Sequence, residues 1–131
     1  MEGEKRKILI VDDDSFLLDM YALKFSQNNF EVYTVPSGVE ALEKLKGGLV
    51  PDVILMDIIM PELDGFKTLE QINTQNLCPN GVKIILSNKS EQSDVERGNS
   101  LGVSGYIVKA NSTPGEVINQ VVEILSKKVK K

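Results

Sequence analysis

The stretch from Ile8 to Asp14 reads ILIVDDD, an apolar run followed by three aspartates. A run this short and this uniformly apolar is typical of a β-strand that is buried on both faces. The same pattern recurs at Val53–Asp57, which reads VILMD. Two such strands predict a sheet covered by helices on both sides, and each strand carries aspartate to its carboxyl end.

Further strands and helices alternate along the 131 residues of the chain. The other strands are predicted at Glu31–Val35, Val82–Leu86 and Gly105–Val108. The helices are predicted at about Ser15–Asn28, from Ser37 to the pair Gly47–Gly48, from Asp64 through Ile72, at about Glu91–Leu101, and from Pro114 through Leu125. This order predicts a single α/β domain with a doubly wound, five-stranded parallel sheet and five flanking helices.

The composition excludes several classes of site. The chain has no histidine and a single cysteine, Cys78, so an intrachain disulfide, a His-based catalyst and a His/Cys zinc site are all excluded. Cys78 falls in a predicted loop, and we interpret it as structural. Any chemistry must therefore use carboxylates, lysines and hydroxyls.

The charge balance bears on partners and location. Nineteen acidic residues against 15 basic ones give a net charge of -4, which disfavours direct binding of nucleic acid. We interpret the terminal lysines as the solvated end of the last helix; they are Lys127, Lys128, Lys130 and Lys131. Without an apolar stretch for a signal peptide or a membrane span, we expect a cytoplasmic protein with no membrane partner.

Polar residues follow four of the five predicted strands. Asp12–Asp14 ends the first strand, Asp57 the third, Ser87 the fourth and Lys109 the fifth. Taken singly, aspartates here can cap a helix, and a serine or lysine can simply meet solvent. Ligands of doubly wound sheets, however, bind at the carboxyl ends of the strands. The joint placement therefore favours a ligand site.

The residue types at this edge suggest the chemistry. Converging carboxylates repel one another unless a proton or a cation neutralises them. A set of oxygen ligands without histidine or cysteine suits Mg²⁺ or Mn²⁺. A carboxylate beside such an ion can attack phosphorus and form an aspartyl phosphate. A lysine and a hydroxyl would then stabilise the charge of the phosphoryl group.

These residues resemble the receiver domain of two-component response regulators over about Lys7–Val129. The most specific stretch is Val53–Gly65, which reads VILMDIIMPELDG. The acidic pair after the first strand, the hydroxyl after the fourth and the lysine after the fifth also match. The resemblance implies a flavodoxin-like sheet with strand order 2-1-3-4-5 and one receiver domain spanning residues 1–131.

The resemblance also implies a metal-assisted phosphoacceptor site. Asp57 is the expected phosphoacceptor, and the domain is expected to catalyse only its own phosphorylation and dephosphorylation. Asp13 is expected to bind Mg²⁺ (or Mn²⁺) directly, with Asp12 supporting the ion and Asp57 itself contributing. The backbone carbonyl of Ile59 would complete the metal contacts.

The remaining implied residues read the phosphoryl group. Ser87 and Lys109 would each contact one of its oxygens, and Tyr106 would change rotamer as Ser87 moves, although it can equally be a half-buried strand aromatic. The surface of the fourth helix, fifth strand and fifth helix would then change. The implied partners are a histidine kinase or phosphotransfer protein and an unknown downstream protein. The chain would be a monomer or a phosphorylation-dependent homodimer, acting alone or as part of a longer protein.

Two positions depart from the residue that is usual in the family, and a third, Ile59, differs from some relatives only. Ala110 follows Lys109 where proline, commonly with a cis bond, is usual. Because a cis bond before a residue other than proline costs about 3–4 kcal/mol, we predict a trans Lys109–Ala110 bond and a different loop. Asn88 stands where a small residue is usual, and Ile59 is apolar where some relatives are polar. A larger polar group at position 88 predicts a long-lived phosphoryl group.

Two alternatives remain open at the level of sequence. Asp12-x-Asp14 resembles the nucleophile motif of haloacid-dehalogenase-type phosphatases, with Asp12 as nucleophile and Asp14 as acid–base. That interpretation explains Lys109 less well. A pseudo-receiver, a binding module without phosphorylation, is disfavoured by the complete set of site residues.

Overall fold

The computed structural model describes residues 5–129 of the chain, with side chains described through Lys127. Five strands form one parallel sheet in the order β2-β1-β3-β4-β5, which confirms the predicted order. The strands are β1 (Arg6–Val11), β2 (Phe30–Val35), β3 (Val53–Met56), β4 (Val82–Ser87) and β5 (Gly105–Val108).

Helices connect the strands and cover both faces of the sheet. They are α1 (Ser15–Gln27), α2 (Gly38–Lys46), α3 (Gly65–Thr74), α4 (Gln92–Ser100) and α5 (Pro114–Val129). A 3₁₀ turn, Lys109–Asn111, lies between β5 and α5. No helix within residues 5–129 has both the length and the apolar character needed to cross a membrane.

The continuous apolar strands follow from burial on both faces. In β1, Ile8 and Ile10 pack with α1 and α5, whereas Leu9 and Val11 pack with α2 and α3 on the other side. All four side chains are at most 1% exposed. Because alternate residues point to opposite faces of a strand, a strand between two helical layers has no solvent-facing position left for a polar residue.

The helix ends follow the local signals in the sequence. The Asp14 side chain accepts hydrogen bonds from the first turn of α1, and Ser37 does the same for α2. The predicted stop of α2 is confirmed: Gly47 caps the helix and Gly48 has a φ of 114°. That backbone conformation favours glycine because a side chain would be strained there.

The fourth helix is the least apolar of the five. It is one residue shorter at each end than predicted, because Glu91 and Leu101 are its caps. Glu91 and Asp94 form a reciprocal capping box at its start. The buried residues of α4 are Asp94 and Gly98, neither of which is apolar and large. The helix therefore has little hydrophobic anchorage to the sheet.

The turn after β5 carries one of the two departures from the family pattern. No cis peptide bond occurs in the part of the chain that the structure describes, so the predicted trans Lys109–Ala110 bond is confirmed. The chain from Lys109 to Asn111 forms a 3₁₀ turn. At the far end of α5, Lys127 is exposed and lies 3.8 Å from Glu123. Lys130, Lys131 and the side chain of Lys128 lie outside the described part of the chain.

Candidate functional site

Two aspartates lie side by side at the carboxyl edge of the sheet. Val11 of β1 pairs with Met56 of β3, so the next residues, Asp12 and Asp57, lie level with each other. The Asp57 N–H donates to the Val11 carbonyl at 2.9 Å, which extends the pairing to Asp57. Asp12 is 2% exposed and Asp57 is 6% exposed. Two carboxylates are thus held together out of water, an arrangement that needs a compensating charge.

Asp13 completes a three-carboxylate cluster. One oxygen each from Asp12, Asp13 and Asp57 lie within 4.8 Å of one another. Asp13 is exposed, so the cluster opens to solvent on one side. An oxygen-only set that leaves room for water suits Mg²⁺, which keeps several waters and binds one or two carboxylates. These residues therefore fit the ion that the sequence predicts.

Lys109 supplies a compensating charge from within the chain. Its Nζ lies 2.7 Å from Asp12 Oδ2 and 3.4 Å from Asp57 Oδ2. The lysine side chain is 13% exposed, and the two carboxylates are more buried still. A buried ammonium between two buried carboxylates is well placed to meet an incoming anion.

The electrostatics of the pair follow from burial. Desolvation, together with repulsion from Asp12, raises the pKa of Asp57 to about 6, although Lys109 and the Ile58 N–H oppose the rise. Burial alone would lower the pKa of Lys109, but the hydrogen bond to Asp12 and the attraction of Asp57 raise it above its ordinary value. Lys109 is therefore a fixed cation, and Asp57 is a carboxylate that burial has made costly to ionise.

Backbone contacts hold Asp57 from behind. The Ile58 N–H donates to Asp57 Oδ1 at 2.8 Å, and the Gly65 N–H donates to the Ile58 carbonyl at 2.9 Å. A Cβ on Gly65 would collide with the Asp57 carbonyl oxygen. Glycine at this position lets the start of α3 lie directly against the aspartate. The Asp64-Gly65 pair of the sequence thus caps a helix and fixes a site residue together.

Ser87 and Tyr106 are linked through one residue. Ser87 is fully buried, and its Oγ accepts from the Lys89 N–H at 3.2 Å. The Tyr106 hydroxyl donates to the carbonyl of the same Lys89. The Lys89 ammonium pairs with Asp94 at 3.0 Å, which ties this loop to the start of α4. The structure therefore places Ser87 and Tyr106 at two ends of one short connection.

Asn88 does not stand free beside the site. Its Oδ1 accepts from the Ala110 N–H at 2.8 Å, which joins the loop after β4 to the turn after β5. Sequence reasoning treated Asn88 and Ala110 as separate departures and missed this contact. No local signal could have found it, because the two residues are 22 positions apart.

Two further residues have structural positions. Asp14 caps α1, with its Oδ1 accepting from Phe16 N at 3.0 Å and Leu17 N at 3.2 Å. Cys78 is 2% exposed, and burial raises the pKa of its thiol. The geometry thus gives Asp14 a capping position, and burial of the raised-pKa thiol favours the structural interpretation of Cys78.

The site as a whole can bind a divalent cation and an anion together. The structure brings together Asp12, Asp13, Asp57 and Lys109, which the sequence predicts as site residues. Ser87 ends the neighbouring strand β4, one register position beyond Asp57, and Ile59 lies two residues after Asp57 with its side chain 60% exposed. A carboxylate, an open cation site and a fixed ammonium form a suitable set for accepting a phosphoryl group.

Comparison with known sequences gives a consistent result. Residues 8–122 match the family model of the response regulator receiver domain. The chain is 33% identical over 120 residues to the alkaline phosphatase synthesis transcriptional regulatory protein PhoP of Bacillus subtilis, covering 92% of this chain and 48% of that protein. A protein-glutamate methylesterase/protein-glutamine glutaminase of Syntrophomonas wolfei is 34% identical over 128 residues, covering 96% of this chain and 36% of that protein. The chain thus spans about half or less of these relatives.

Solved structures show the same architecture. A CheY-like response regulator receiver domain protein of Methanospirillum hungatei has a TM-score of 0.87 at 25% identity, covering 97% of this chain and 98% of the other. The receiver domain of Francisella response regulator 1452 has a TM-score of 0.82 at 30% identity, covering 94% and 98%. The neighbours therefore match this chain over almost their whole length.

Proposed function

Because this chain belongs to the response regulator receiver domain family, we propose that it is a signalling switch in which Asp57 accepts a phosphoryl group in a Mg²⁺-dependent reaction. The observation that carries the proposal is the position of Asp57. It lies within the three-carboxylate cluster and 3.4 Å from the Lys109 ammonium. A nucleophile, a cation site and a fixed positive charge are the parts that phosphoryl transfer needs.

The residues would divide the work as follows. Asp57 attacks the phosphorus of a phosphorylated donor, and the donor leaves. Asp13 and Asp12 would hold Mg²⁺ together with Asp57 and the Ile59 carbonyl, and a bound ion would supply positive charge for the phosphoryl oxygens. Lys109 exchanges its contact with the Asp57 carboxylate for one with a phosphoryl oxygen. Ser87 reaches another oxygen by giving up its hydrogen bond from Lys89.

The proposed output follows from that exchange. Moving Ser87 breaks the hydrogen bond that it accepts from the Lys89 N–H. The Lys89 carbonyl accepts a hydrogen bond from the Tyr106 hydroxyl, and the Lys89 ammonium pairs with Asp94 of α4, so both contacts are disturbed. We propose that Tyr106 responds and that the surface of α4, β5 and α5 changes. Phosphorylation favours this state only to the extent that the phosphoryl group binds it better than the resting state. The scarcity of buried apolar side chains on α4 supports it as the responding element.

The proposed partners and oligomeric state are those expected of the receiver domain family. The phosphoryl donor would be a histidine kinase or a phosphotransfer protein, and the receiver of the signal would be another protein rather than nucleic acid. The cytoplasm is the expected location. The domain would act as a monomer or as a phosphorylation-dependent homodimer. The transcriptional and methylesterase activities that the relatives' names give belong to proteins at least twice as long as the matched region.

The test uses a small phosphoryl donor. The protein is incubated with acetyl phosphate and Mg²⁺, and intact mass is measured for the wild type, Asp57→Asn and Asp52→Asn. Asp52 is the matched control, because it is exposed at the other end of the same strand. We expect a gain of one phosphoryl group in the wild type and Asp52→Asn, and none in Asp57→Asn. No gain in the wild type, or an equal gain in Asp57→Asn, would defeat the proposal.

Adding Asp57→Ala to the same experiment tests the phosphatase alternative. A phosphatase with Asp12 as nucleophile would still form a phosphoryl adduct after Asp57→Ala. The capping position of Asp14 and the engagement of Asp12 with Lys109 do not favour that alternative.

The lifetime of the adduct remains a prediction from the sequence. We propose that it is long, because Asn88 and the exposed Ile59 side chain line one groove beside the site and can obstruct an attacking water. Loss of label within seconds from the Mg²⁺-saturated protein would contradict this.

A further inference from the structure

The two departures from the family pattern lie next to each other in the fold. Ser87 of β4 pairs with Val108 of β5, so the next residues, Asn88 and Lys109, lie level beyond the strand ends. Backbone pairing stops there, because the chain after Lys109 coils into the 3₁₀ turn. The Asn88 side chain spans the gap by accepting the Ala110 N–H at 2.8 Å.

This hydrogen bond needs both departures at once. A proline at position 110 would have no N–H to donate. A small apolar residue at position 88 would have no side-chain oxygen to accept. The residues usual in this family at these two positions would each remove the bond. Asn88 and Ala110 therefore form one hydrogen-bonded pair and are not two independent changes.

We infer that the Asn88–Ala110 hydrogen bond positions Lys109, in place of the proline usual at position 110. The inference rests on the proposed function of the site. Asn88 is a positioning residue, because the structure shows its contact with the backbone after Lys109 and none with the carboxylates. The Lys109 ammonium must reach Asp12 and Asp57 from the first residue of a short turn, so the direction of that turn sets where the ammonium lies.

The other attachments of this turn point away from the site. The Ser112 hydroxyl accepts from Gln120 of α5 at 3.2 Å. Thr113 and Glu116 form reciprocal hydrogen bonds at the start of the same helix. Within residues 5–127, Asn88 makes the one hydrogen bond between residues 110–113 and the loop after β4. Without it, β5 pairing still holds the chain up to Val108, but the turn after Lys109 follows α5 alone.

Because Asn88 and Ala110 are exposed, an effect of their hydrogen bond on positioning Lys109 can be distinguished from an effect on global stability. Asn88 and Ala110 are both exposed, so water can replace the hydrogen bond when it is lost. Global stability therefore depends little on the bond. The rate of phosphoryl transfer depends more on it, because that rate is sensitive to small displacements of the groups that meet the phosphoryl oxygens.

The test compares four variants with the wild type: Asn88→Ala, Ala110→Pro, the double variant and Asn111→Ala. Asn111→Ala is the matched control, an identical change at an exposed asparagine of the same turn. The readouts are the rate of phosphoryl uptake from acetyl phosphate, the Mg²⁺ affinity, the urea midpoint and the exchange rate of the Ala110 amide hydrogen. The amide readout does not depend on phosphorylation, so it reports on the bond by itself.

We expect Asn88→Ala to slow phosphoryl uptake by about two- to tenfold, because a small displacement of the Lys109 ammonium weakens its contact with the phosphoryl oxygen. The Ala110 amide should exchange faster, while Mg²⁺ affinity and the urea midpoint should match those of Asn111→Ala. Ala110→Pro should also slow uptake. The double variant should take up the phosphoryl group faster than multiplying the two single reductions in rate would predict. Either single change already breaks the hydrogen bond, so the second change has no bond left to break.

Several outcomes overturn the inference. They are equal uptake rates in Asn88→Ala and Asn111→Ala, single effects that multiply in the double variant, an unchanged Ala110 amide, or slower uptake with a matching loss of Mg²⁺ affinity or stability. If the wild type takes up no phosphoryl group, the proposed function fails and positioning for transfer fails with it. Amide exchange would then still report whether Asn88 holds the turn.

Discussion

The site has two sides of different character. The carboxylate side consists of Asp12, Asp13 and Asp57, at the ends of the central strands β1 and β3. The loop side consists of Ser87, Asn88, Lys89, Tyr106 and Ala110, around the ends of β4 and β5. Backbone pairing and the start of α3 hold the carboxylate side, with the Asp57 N–H 2.9 Å from the Val11 carbonyl. The loop side is held by single hydrogen bonds from side chains.

This difference suggests a division of labour. In the proposed function the carboxylate side provides chemistry that tolerates little displacement, and it follows two central strands whose last four residues are buried. In the same proposal the loop side responds to the phosphoryl group, and its single hydrogen bonds can be exchanged at small cost. Lys109 belongs to both sides, because its ammonium meets the carboxylates and its backbone leads into the loop.

The largest expected effect comes from removing the shared cation. Lys109→Met should lower the free energy of unfolding at neutral pH by about 3–5 kcal/mol, because it leaves two buried carboxylates without a partner. The measurement is urea denaturation followed by circular dichroism, without Mg²⁺. Lys127→Met is the control, an exposed lysine whose pairing with Glu123 should contribute under about 0.5 kcal/mol. Equal losses in the two variants would mean that Lys109 does not hold the carboxylates.

The second effect is a pH dependence of the carboxylate side. The pKa of Asp57 rises from 3.8 to about 6 in the fold, so between these values the folded protein binds more protons than the unfolded one. Stability therefore falls as pH rises through this window. Asp57→Asn should be as stable as the wild type below pH 4 and about 3 kcal/mol more stable above pH 6 without Mg²⁺.

Urea denaturation at a series of pH values measures this difference in the free energy of unfolding between Asp57→Asn and the wild type, with Asp52→Asn as the control. Mg²⁺ should narrow it, because the cation favours the ionised carboxylate. A gap that stays constant from pH 4 to pH 8 would show that burial does not perturb Asp57.

The third effect is on Mg²⁺ affinity, which should depend on the carboxylate side and not on the loop side. Asp13→Asn should weaken Mg²⁺ binding by roughly 10- to 100-fold, because it removes a charged oxygen from the cluster. Asn88→Ala should leave Mg²⁺ binding unchanged, because its contact lies on the loop side. Isothermal titration calorimetry on both variants provides the comparison. Similar losses would show that the division into two sides is wrong.

The smallest effect concerns the loop side alone. Tyr106→Phe removes the hydroxyl that donates to the Lys89 carbonyl and should lower stability by about 1 kcal/mol or less. Amide exchange in residues 88–91 should increase, while Mg²⁺ affinity should not change. Tyr33→Phe is the control, since its hydroxyl donates to Glu31 on the far strand β2. Unchanged exchange in residues 88–91 would argue against a link between Tyr106 and this loop.

The two sides also differed in how far the sequence predicted them. The carboxylate side follows from local patterns, because a buried apolar run such as Val53–Met56 forces its next polar residue to the strand end. Parallel pairing then brings the strand ends together. The proximity of Asp12 and Asp57 can therefore be predicted from strand pairing alone, without knowledge of their side-chain conformations. The approximate bounds of the five strands and five helices were predictable for the same reason, whereas the strand order was implied by the family resemblance.

The loop side was predictable only in part. Ser87, Lys109 and Tyr106 were identified, but Lys89 was missed because its backbone, not its side chain, links Ser87 to Tyr106. The capping box of Glu91 and Asp94 was missed because it uses acidic residues at both positions. The Asn88–Ala110 bond was missed because contacts between distant loops leave no periodic signal.

The turn after Lys109 has a consequence for how such domains diverge. A lineage that moves between this turn and one with proline must change positions 88 and 110, and point mutations arrive one at a time. Either intermediate lacks the hydrogen bond, and the one with asparagine and proline also places an amide oxygen against a ring that cannot donate. If the bond positions Lys109 as inferred, sequence changes at these two positions should be correlated, and an intermediate with only one change should take up the phosphoryl group more slowly.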